Sequence, residues 1–424
     1  MDDLHRYNQA KATPSPHSVK GSPGSYMSPL FSNSPIRERL FRRYFLSQAV
    51  SWCGTSMAPI AVSFAAIDTG DSLGGLGLVL AARAVATLLF VVVGGVIADS
   101  RSKVKLLQVC CLTAGLTQCV AAWLLYTALA TVYSLAVLEF INGAAAALMM
   151  PATQSIIPEL VAMKRRNAAN ALLQQVRATL GVIGPVVAGV LVTAWGTPAC
   201  LAVNGMCWLF AMMLLFGIKT DAVAALEPPV QALLEGWRYF IRVPWLRAVV
   251  ASFTLLNALI ALGTTTIGPW VIGEELSRSS WGFARSFQAI GLLAGSLIAA
   301  RVFWSRPLYR SMIMCVCQAL PFLVIGYAPT AAPLLYLAFF AAGTSIAFQS
   351  LAWKNVMQAD IPQHLLSRVF AIDMLGSLVA VPVGQVLAAP LMNHLGLETT
   401  ELMCFLLAAA GLFLCVLEPS LRRR

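Results

Sequence analysis

Residues 73–105 read LGGLGLVLAARAVATLLFVVVGGVIADSRSKVK. The stretch 73–98 is apolar but for Arg83, and the residues after it set Arg101, Lys103 and Lys105 beside Asp99. About 20 mostly apolar residues cross a bilayer as a helix, because lipid offers backbone groups no hydrogen-bond partner and a helix satisfies them internally. Working outward, the pattern recurs twelve times, over about residues 44–67, 73–98, 106–130, 132–153, 171–194, 199–218, 248–272, 281–304, 311–328, 332–353, 369–392 and 399–417. Positive charges fall on alternate connections: Arg37, Arg39, Arg42 and Arg43; the 101–105 cluster; Lys164, Arg165 and Arg166; Lys219, Arg238, Arg242 and Arg247; Arg306 and Arg310; Lys354 and Arg368; and Arg422 to Arg424. The opposite connections hold Asp68, Asp71, Glu274, Glu275 and Glu398, with Arg278 their one clear base. By the positive-inside rule, both termini are cytoplasmic in a multi-pass protein of the cell (inner) membrane.

Composition agrees. Charged residues make up 11% of the 424, against about 25% in soluble domains, so the spans leave no room for a large soluble domain. The net charge of +11 sits at span ends, which argues for topology and anionic headgroups and against nucleic acid. Residues 1–43 differ from the rest. The stretch 12–35 is rich in Ser, Pro and Gly, and buries too little surface to fold. A signal peptide would need an apolar core that is lacking before Tyr44. A regulatory contact and a disordered tail without specific role both fit residues 1–43. Arg37, Arg39, Arg42 and Arg43, interleaved with Leu40 and Phe41, read as an amphipathic lead-in at the headgroups.

All ten cysteines lie within or at the edges of spans, where they act as small hydrophobes. Without a CxxC or clustered histidines a metal site is not expected, and without a GxxxxGK[ST] loop neither is ATP hydrolysis. No cofactor and no enzymatic activity are expected, so any work is driven by a gradient or a partner.

The two halves echo one another at an offset of about 200 residues. Span 4 runs into Gln154 and Pro158-Glu159, and span 10 into Asn355 and Pro362-Gln363. Span 5 holds Gly181, Pro185 and Gly189 and ends at Trp195-Gly196; span 11 holds Gly376, Pro382 and Gly384 and ends at Leu395-Gly396. Spans 2 and 8 carry Arg83 with Gly95 and Arg285 with Gly295. These matches, in the same order, indicate a duplicated six-helix unit: 44–218 as the first bundle, 219–247 as linker, 248–417 as the second, and 418–424 as a basic end. An even number of spans keeps both copies in one orientation. In the linker, Leu226, Val230, Leu233, Leu234, Trp237 and Ile241 recur at helical spacing, as in an amphipathic helix at the inner surface.

Gly95-Val-Ile-Ala-Asp99-Ser-Arg101-Ser-Lys103 resembles the loop signature between helices 2 and 3 of the major facilitator superfamily. Ser100 and Ser102 stand where the pattern has a base and a glycine. The resemblance implies that Gly95 permits close helix approach and that Asp99, with Arg101 and Lys103, latches the outward-facing state against helix 11. Plain topogenic charges account for the same bases. Gly181-Val-Ile-Gly184-Pro185-Val-Val-Ala188-Gly189 is similar to the Gly-Pro signature of exporters in helix 5, with Ala188 at a glycine place; ordinary small-residue packing fits equally. The runs Pro158 to Leu172 and Leu234-Glu-Gly-Trp-Arg-Tyr239 look like the branch of enterobactin-type siderophore exporters and macrolide-efflux proteins, over about residues 40 to 417. It implies an all-α membrane protein with the major facilitator fold, twelve transmembrane helices in two six-helix bundles, and helices 1, 4, 7 and 10 lining the path.

Arg83, Glu139, Arg177, Arg285 and Asp373 are read as ionisable residues inside spans, where a charge costs about 2.5–3.5 kcal/mol on insertion scales and so faces a cavity or a partner. Arg83 and Glu139 lie at similar depth and are expected to interact, with Glu139 either a proton carrier or half of a static pair. Arg177 and Asp373 occupy corresponding places and would pair as an inner gate, unless Arg177 snorkels and Asp373 caps. Arg285 snorkels outward or attracts an anionic substrate. Gln48, Trp52, Asn142, Asn257 and Gln349 are candidates for lining a cavity suited to a bulky amphipathic molecule; Trp270, Trp281 and Trp304 read as interface anchors. The expected function is proton-coupled export of a small amphipathic compound, a drug or siderophore-like metabolite, by a monomer whose partners are substrate, protons and lipid. Uptake by the same fold, or a non-transporting sensor or assembly role, are the alternatives.

Overall fold

Gly196 and Gly396 share one backbone geometry, φ 80° and ψ 170° against φ 77° and ψ 168°. Side chains are excluded from that region, so only glycine makes this turn cheaply. It sits between the fifth and sixth spans and again between the eleventh and twelfth. In the computed structural model, which describes residues 35–70, 72–100, 102–218, 229–302 and 305–422, helix runs unbroken by hydrogen bonding from Arg166 to Leu214. Its 49 residues would measure about 73 Å, more than twice the bilayer core. Yet Gly184 lies against Ser56, and Asn204 against Gly54, neighbours on one turn of the first helix. The chain therefore doubles back at Gly196, making two helices.

Among the described residues eleven helical stretches are long and apolar enough to cross a membrane, and the turn at Gly196 divides one of them, which makes twelve helices. The first bundle comprises α1 (Arg39–Gly70), α2 (Leu73–Ser100), α3 (Lys103–Tyr126), α4 (Val132–Ser155), α5 (166–195) and α6 (197–214); the second comprises α7 (Pro244–Glu275), α8 (Arg278–Ala299), α9 (Pro307–Tyr327), α10 (Ala332–Asp360), α11 (363–395) and α12 (Leu397–Leu417). Leu116, Leu297, Leu337 and Phe413 are more than half exposed on the outer surface, an apolar belt that lipid covers.

Helix α1 begins five residues before the apolar run. Phe41 and Tyr44 are fully buried there, while Arg43 donates to the Phe216 carbonyl at 3.0 Å. The expected lead-in helix is thus the first turn of α1. The linker helix spans Pro229–Arg242 and packs Gly236 on Arg368 and Ile372 of α11. Glu235 bonds Arg368, and the exposed Trp237 stacks on Phe240. The linker is therefore fastened to the second bundle. Residues 1–34, Arg101, Lys219, Trp304 and most of the linker's first half lie outside the described residues. The backbone of Gly95 and Asp99 closes α2, but the side-chain contacts of the expected latch lie outside the description too.

Two spans are less regular than their sequence. Helix α11 breaks between Leu378 and Val381: Pro382 has no N–H to give and its ring crowds the preceding turn. Helix α7 contains a π segment, Ile260–Ile267.

Candidate functional site

The two faces of the molecule are held differently. At the distal face, opposite the termini, Arg278 of α8 grips Asp68 of α1 at 2.5 and 3.1 Å, and Thr197 donates to the same carboxylate at 2.8 Å. The Arg278 guanidinium also lies 5.2 Å over the Phe64 ring. Below this clasp, Gly282 sits on the Pro185 carbonyl, Ser286 donates to Val182 at 2.6 Å, and Gly77 of α2 presses on the Gln385 carbonyl of α11. These contacts join the bundles through their distal halves. Near the termini, the ion pairs among the described residues stay within a bundle or bind its own appendage: Lys103 with Glu159 at 2.5 Å, Arg165 with Glu38 at 3.1 Å, and Arg368 with Glu235. Lys103, expected in a latch between the halves, here ties α3 to the turn after α4.

Asp68 and Arg278 are each about a third exposed, so their bond contributes about 0.2–1 kcal/mol. Arg278→Gln is accordingly expected to raise the labelling rate of a cysteine at Thr265 by an impermeant thiol reagent from the distal face, about 1.4- to 5-fold. No change would show that the clasp does not hold this face shut.

Deeper in the first bundle, Arg83 and Glu139 meet at 2.7 Å. Gly143, one turn beyond Glu139, lies against the Arg83 carbonyl, which brings α2 and α4 close enough for the pair. The other carboxylate oxygen accepts from Gln118 at 2.7 Å, and Gln118 in turn accepts from Asn204 at 3.1 Å. Asn142 donates to Thr117 at 3.2 Å. Glu139 is buried, whereas Arg83 is 30% exposed at its side chain. The carboxylate stands behind the guanidinium, and only the guanidinium reaches the space between the bundles.

That space is a cavity of about 360 Å³ lined by Thr55, Pro59, Arg83, Thr87, Thr265 and Gln385. A second cavity, about 280 Å³, adjoins it through Leu378 and is more polar, with Asn257, Gln318, Gln349, Trp353 and Asp373 on its walls. Here Gln318 donates to Gln349 at 2.6 Å, Asn257 to the Ser377 carbonyl at 3.0 Å, and Trp353 and Ser377 to Asp373 at 2.9 and 3.3 Å. The tract thus has an apolar chamber with a guanidinium and a polar chamber with a carboxylate.

Of the expected cavity residues, Asn257 and Gln349 line the second chamber. Gln48 and Asn142 are instead buried inside the first bundle, and Trp52 packs against its apolar core. Arg177 is exposed and Asp373 is held by Trp353 and Ser377, so these two do not meet. Nor does Asp373 cap a helix, for it lies well inside the first half of α11. Gly184 packs on α1 and Gly189 on α8, while Gly181 faces open space; the helix-5 glycines serve both bundle packing and the seam between bundles. Arg285 is half-buried and has no polar partner among the described residues. Trp281 is buried against Gly268 and Phe339 rather than anchored at the interface. The sequence reading missed Gln118, Gln318, Asn204 and Trp353. The glutamines, 200 positions apart, were visible as another match between the halves.

The family model described as Major Facilitator Superfamily matches residues 44–384. The chain belongs to the major facilitator superfamily. Among curated relatives, the enterobactin exporter EntS of Citrobacter koseri is 24% identical over 407 residues, covering 90% of this chain and 92% of its own. That of Salmonella typhimurium is 24% identical over 402 residues, with 90% and 93% covered. Among solved structures, the nucleoside transporter NupG superposes with a TM-score of 0.72 at 14% identity, covering 89% of this chain and 98% of that one. A bacterial homologue of ferroportin in an inward-facing state gives 0.66 at 16% identity, covering 90% and 99%. This superfamily member is thus a multi-pass membrane transporter, whose two bundles repeat the same glycine turn and meet at the α2/α11 and α5/α8 seams.

Proposed function

We propose that this transporter exports a small amphipathic compound in exchange for protons, with Glu139 the proton carrier and Arg83 its link to the cavity. The observation that carries this is the placement of Glu139 behind Arg83. Protonation of Glu139 breaks the pair and leaves the exposed guanidinium an unneutralised charge beside the chamber, which disfavours an apolar or cationic occupant. Loss of the proton restores the neutral pair and readmits the substrate, so the two occupy the site in turn, as exchange requires. The adjoining chambers suit a molecule with an apolar body and a polar end; Arg285, expected among the cavity residues, lies on the wall of neither. Drug-like and siderophore-like metabolites have that character. The enterobactin exporters among its relatives support export. The bases on alternate connections argue for both termini in the cytoplasm, so the clasped distal face is external and the chain is inward-facing. Asp99, with its basic neighbours, is assigned to the opposite state, in which the terminal face closes; Arg177 and Asp373 are free to approach one another in that state.

The test is transport in inside-out vesicles energised by a pH gradient, across a panel of dyes, macrolides and siderophores. Wild-type protein is expected to accumulate one class uphill, with accumulation lost on adding a protonophore. Glu139→Gln should abolish uphill accumulation and retain downhill exchange. Uphill transport by the variant would exclude Glu139 as carrier, and no gradient-dependent movement of any compound would overturn proton-driven export.

A further inference from the structure

The first bundle gives its buried glutamate two partners; the second bundle gives its own none. Glu401, on α12, is fully buried, and neither carboxylate oxygen has a hydrogen-bond partner among the described residues. One oxygen lies against Gly263, inside the π segment of α7, where a Cβ would stand 2.6 Å away. The Phe322 ring of α9 packs on the same glycine, and Gly326 of α9 lies against the Glu401 Cβ and Cγ. The Thr264 hydroxyl, next along the π segment, is buried and unpartnered as well. Cys404 and Glu398 lie about one turn either way on α12, and Tyr327, His394, Glu274 and Glu275 stand at the distal ends of α9, α11 and α7, which pack against it. None is bonded to Glu401.

An ionised carboxylate sealed in an apolar core without a partner costs far more than one protonated carboxyl. We infer that Glu401 is a second proton-binding site, in the second bundle, loaded from the distal face and released by rearrangement of the α7 π segment. Two features of the geometry set the route and the trigger. Glu401 is four residues from the start of α12, about 6 Å along the helix axis, so the distal face is its nearest water. The π segment is an irregularity of the kind frequent at functional sites, and Gly263 within it is the surface on which the carboxyl rests. A rearrangement there withdraws Gly263 and admits water or a partner to the acid. The site's physiological use rests on the proton-exchange reading above, but its bound proton does not depend on Glu139.

Infrared spectroscopy of the purified protein in lipid tests this without any substrate. At neutral pH the wild type should show a protonated-carboxyl stretch that Glu401→Gln lacks, Glu401→Asp shifts and Glu139→Gln retains. In D2O the band should move as the proton exchanges, and faster in a variant whose distal face is loosened, such as Arg278→Gln. Identical wild-type and Glu401→Gln spectra would overturn the proposal, since the acid then holds no proton. A band that never shifts in D2O would also overturn it, because a locked proton serves packing alone. Retention of the Glu401 band alongside failure of the Glu139 transport test would sink the first reading and leave this one standing.

Discussion

Gly343→Ala is expected to cost the protein most of its folded yield, whereas Gly282→Ala leaves it folded and opens its distal face. Both glycines meet a backbone carbonyl so closely that no side chain fits. A Cβ on Gly343 would lie 1.9 Å from the Gln288 oxygen, and one on Gly282 would lie 2.4 Å from that of Pro185. The first seam joins α8 to α10 inside one bundle, where Gly291 and Gly295 rest on Phe340 and Thr344 in the same way. It has no second arrangement, so overpacking appears as lost stability, about 1–3 kcal/mol or more. The second seam joins α8 to α5 across the two bundles. In an alternating transporter that seam parts, so the same strain is relieved by populating the parted state, about 5- to 150-fold for the same energy. Spin labels at Trp195 and Tyr327, both exposed at the distal end of their bundles, measure it. Their separation should lengthen in Gly282→Ala. An unchanged separation with stability lost as in Gly343→Ala would mean that the seam is static.

Removing either member of the Arg83–Glu139 pair should destabilise the protein more than removing both. Glu139 is buried and bonded on both oxygens, so Arg83→Met strands a carboxylate with Gln118 alone. Breaking a buried pair costs about 3–5 kcal/mol, while replacing both partners by apolar groups is often neutral. The exposure of Arg83 places its deletion toward the lower end. In a double-mutant cycle read by denaturant titration in micelles, Arg83→Met and Glu139→Met should each lower stability, and the double variant should recover most of it. Additive losses would show that the two residues act independently. The recovered double variant should still lack uphill transport if the pair carries the proton; full transport would make it a structural pair.

Much of the fold was legible from the chain. Apolar runs, alternating bases and the 200-residue echo are one-dimensional signals with direct physical causes in lipid thickness and insertion. The glycines ending spans 5 and 11 were visible as a repeat, and the structure adds their common backbone conformation. Similar depth in neighbouring helices was enough to suggest that Arg83 and Glu139 meet. Polar character within a path-lining span misassigned Gln48, Trp52 and Asn142, because the sequence sets which span a residue belongs to but not which way it points. Arg278 and Asp68 read as loop charges until folding brought two connections, 210 positions apart, to one point.

The contrast between Glu139 and Glu401 marks the boundary. Each is an acidic residue in an apolar run, and composition treats them alike. Class and span count come from patterning because the solvent on every side of a span is the same lipid. Which acid finds an arginine and a glutamine, and which finds only glycine and phenylalanine, depends on the rotation of each helix about its axis and on the neighbour it packs against. Those are set by close approach at Gly143 and Gly263, contacts between residues far apart in the chain, and only the folded bundles bring them together.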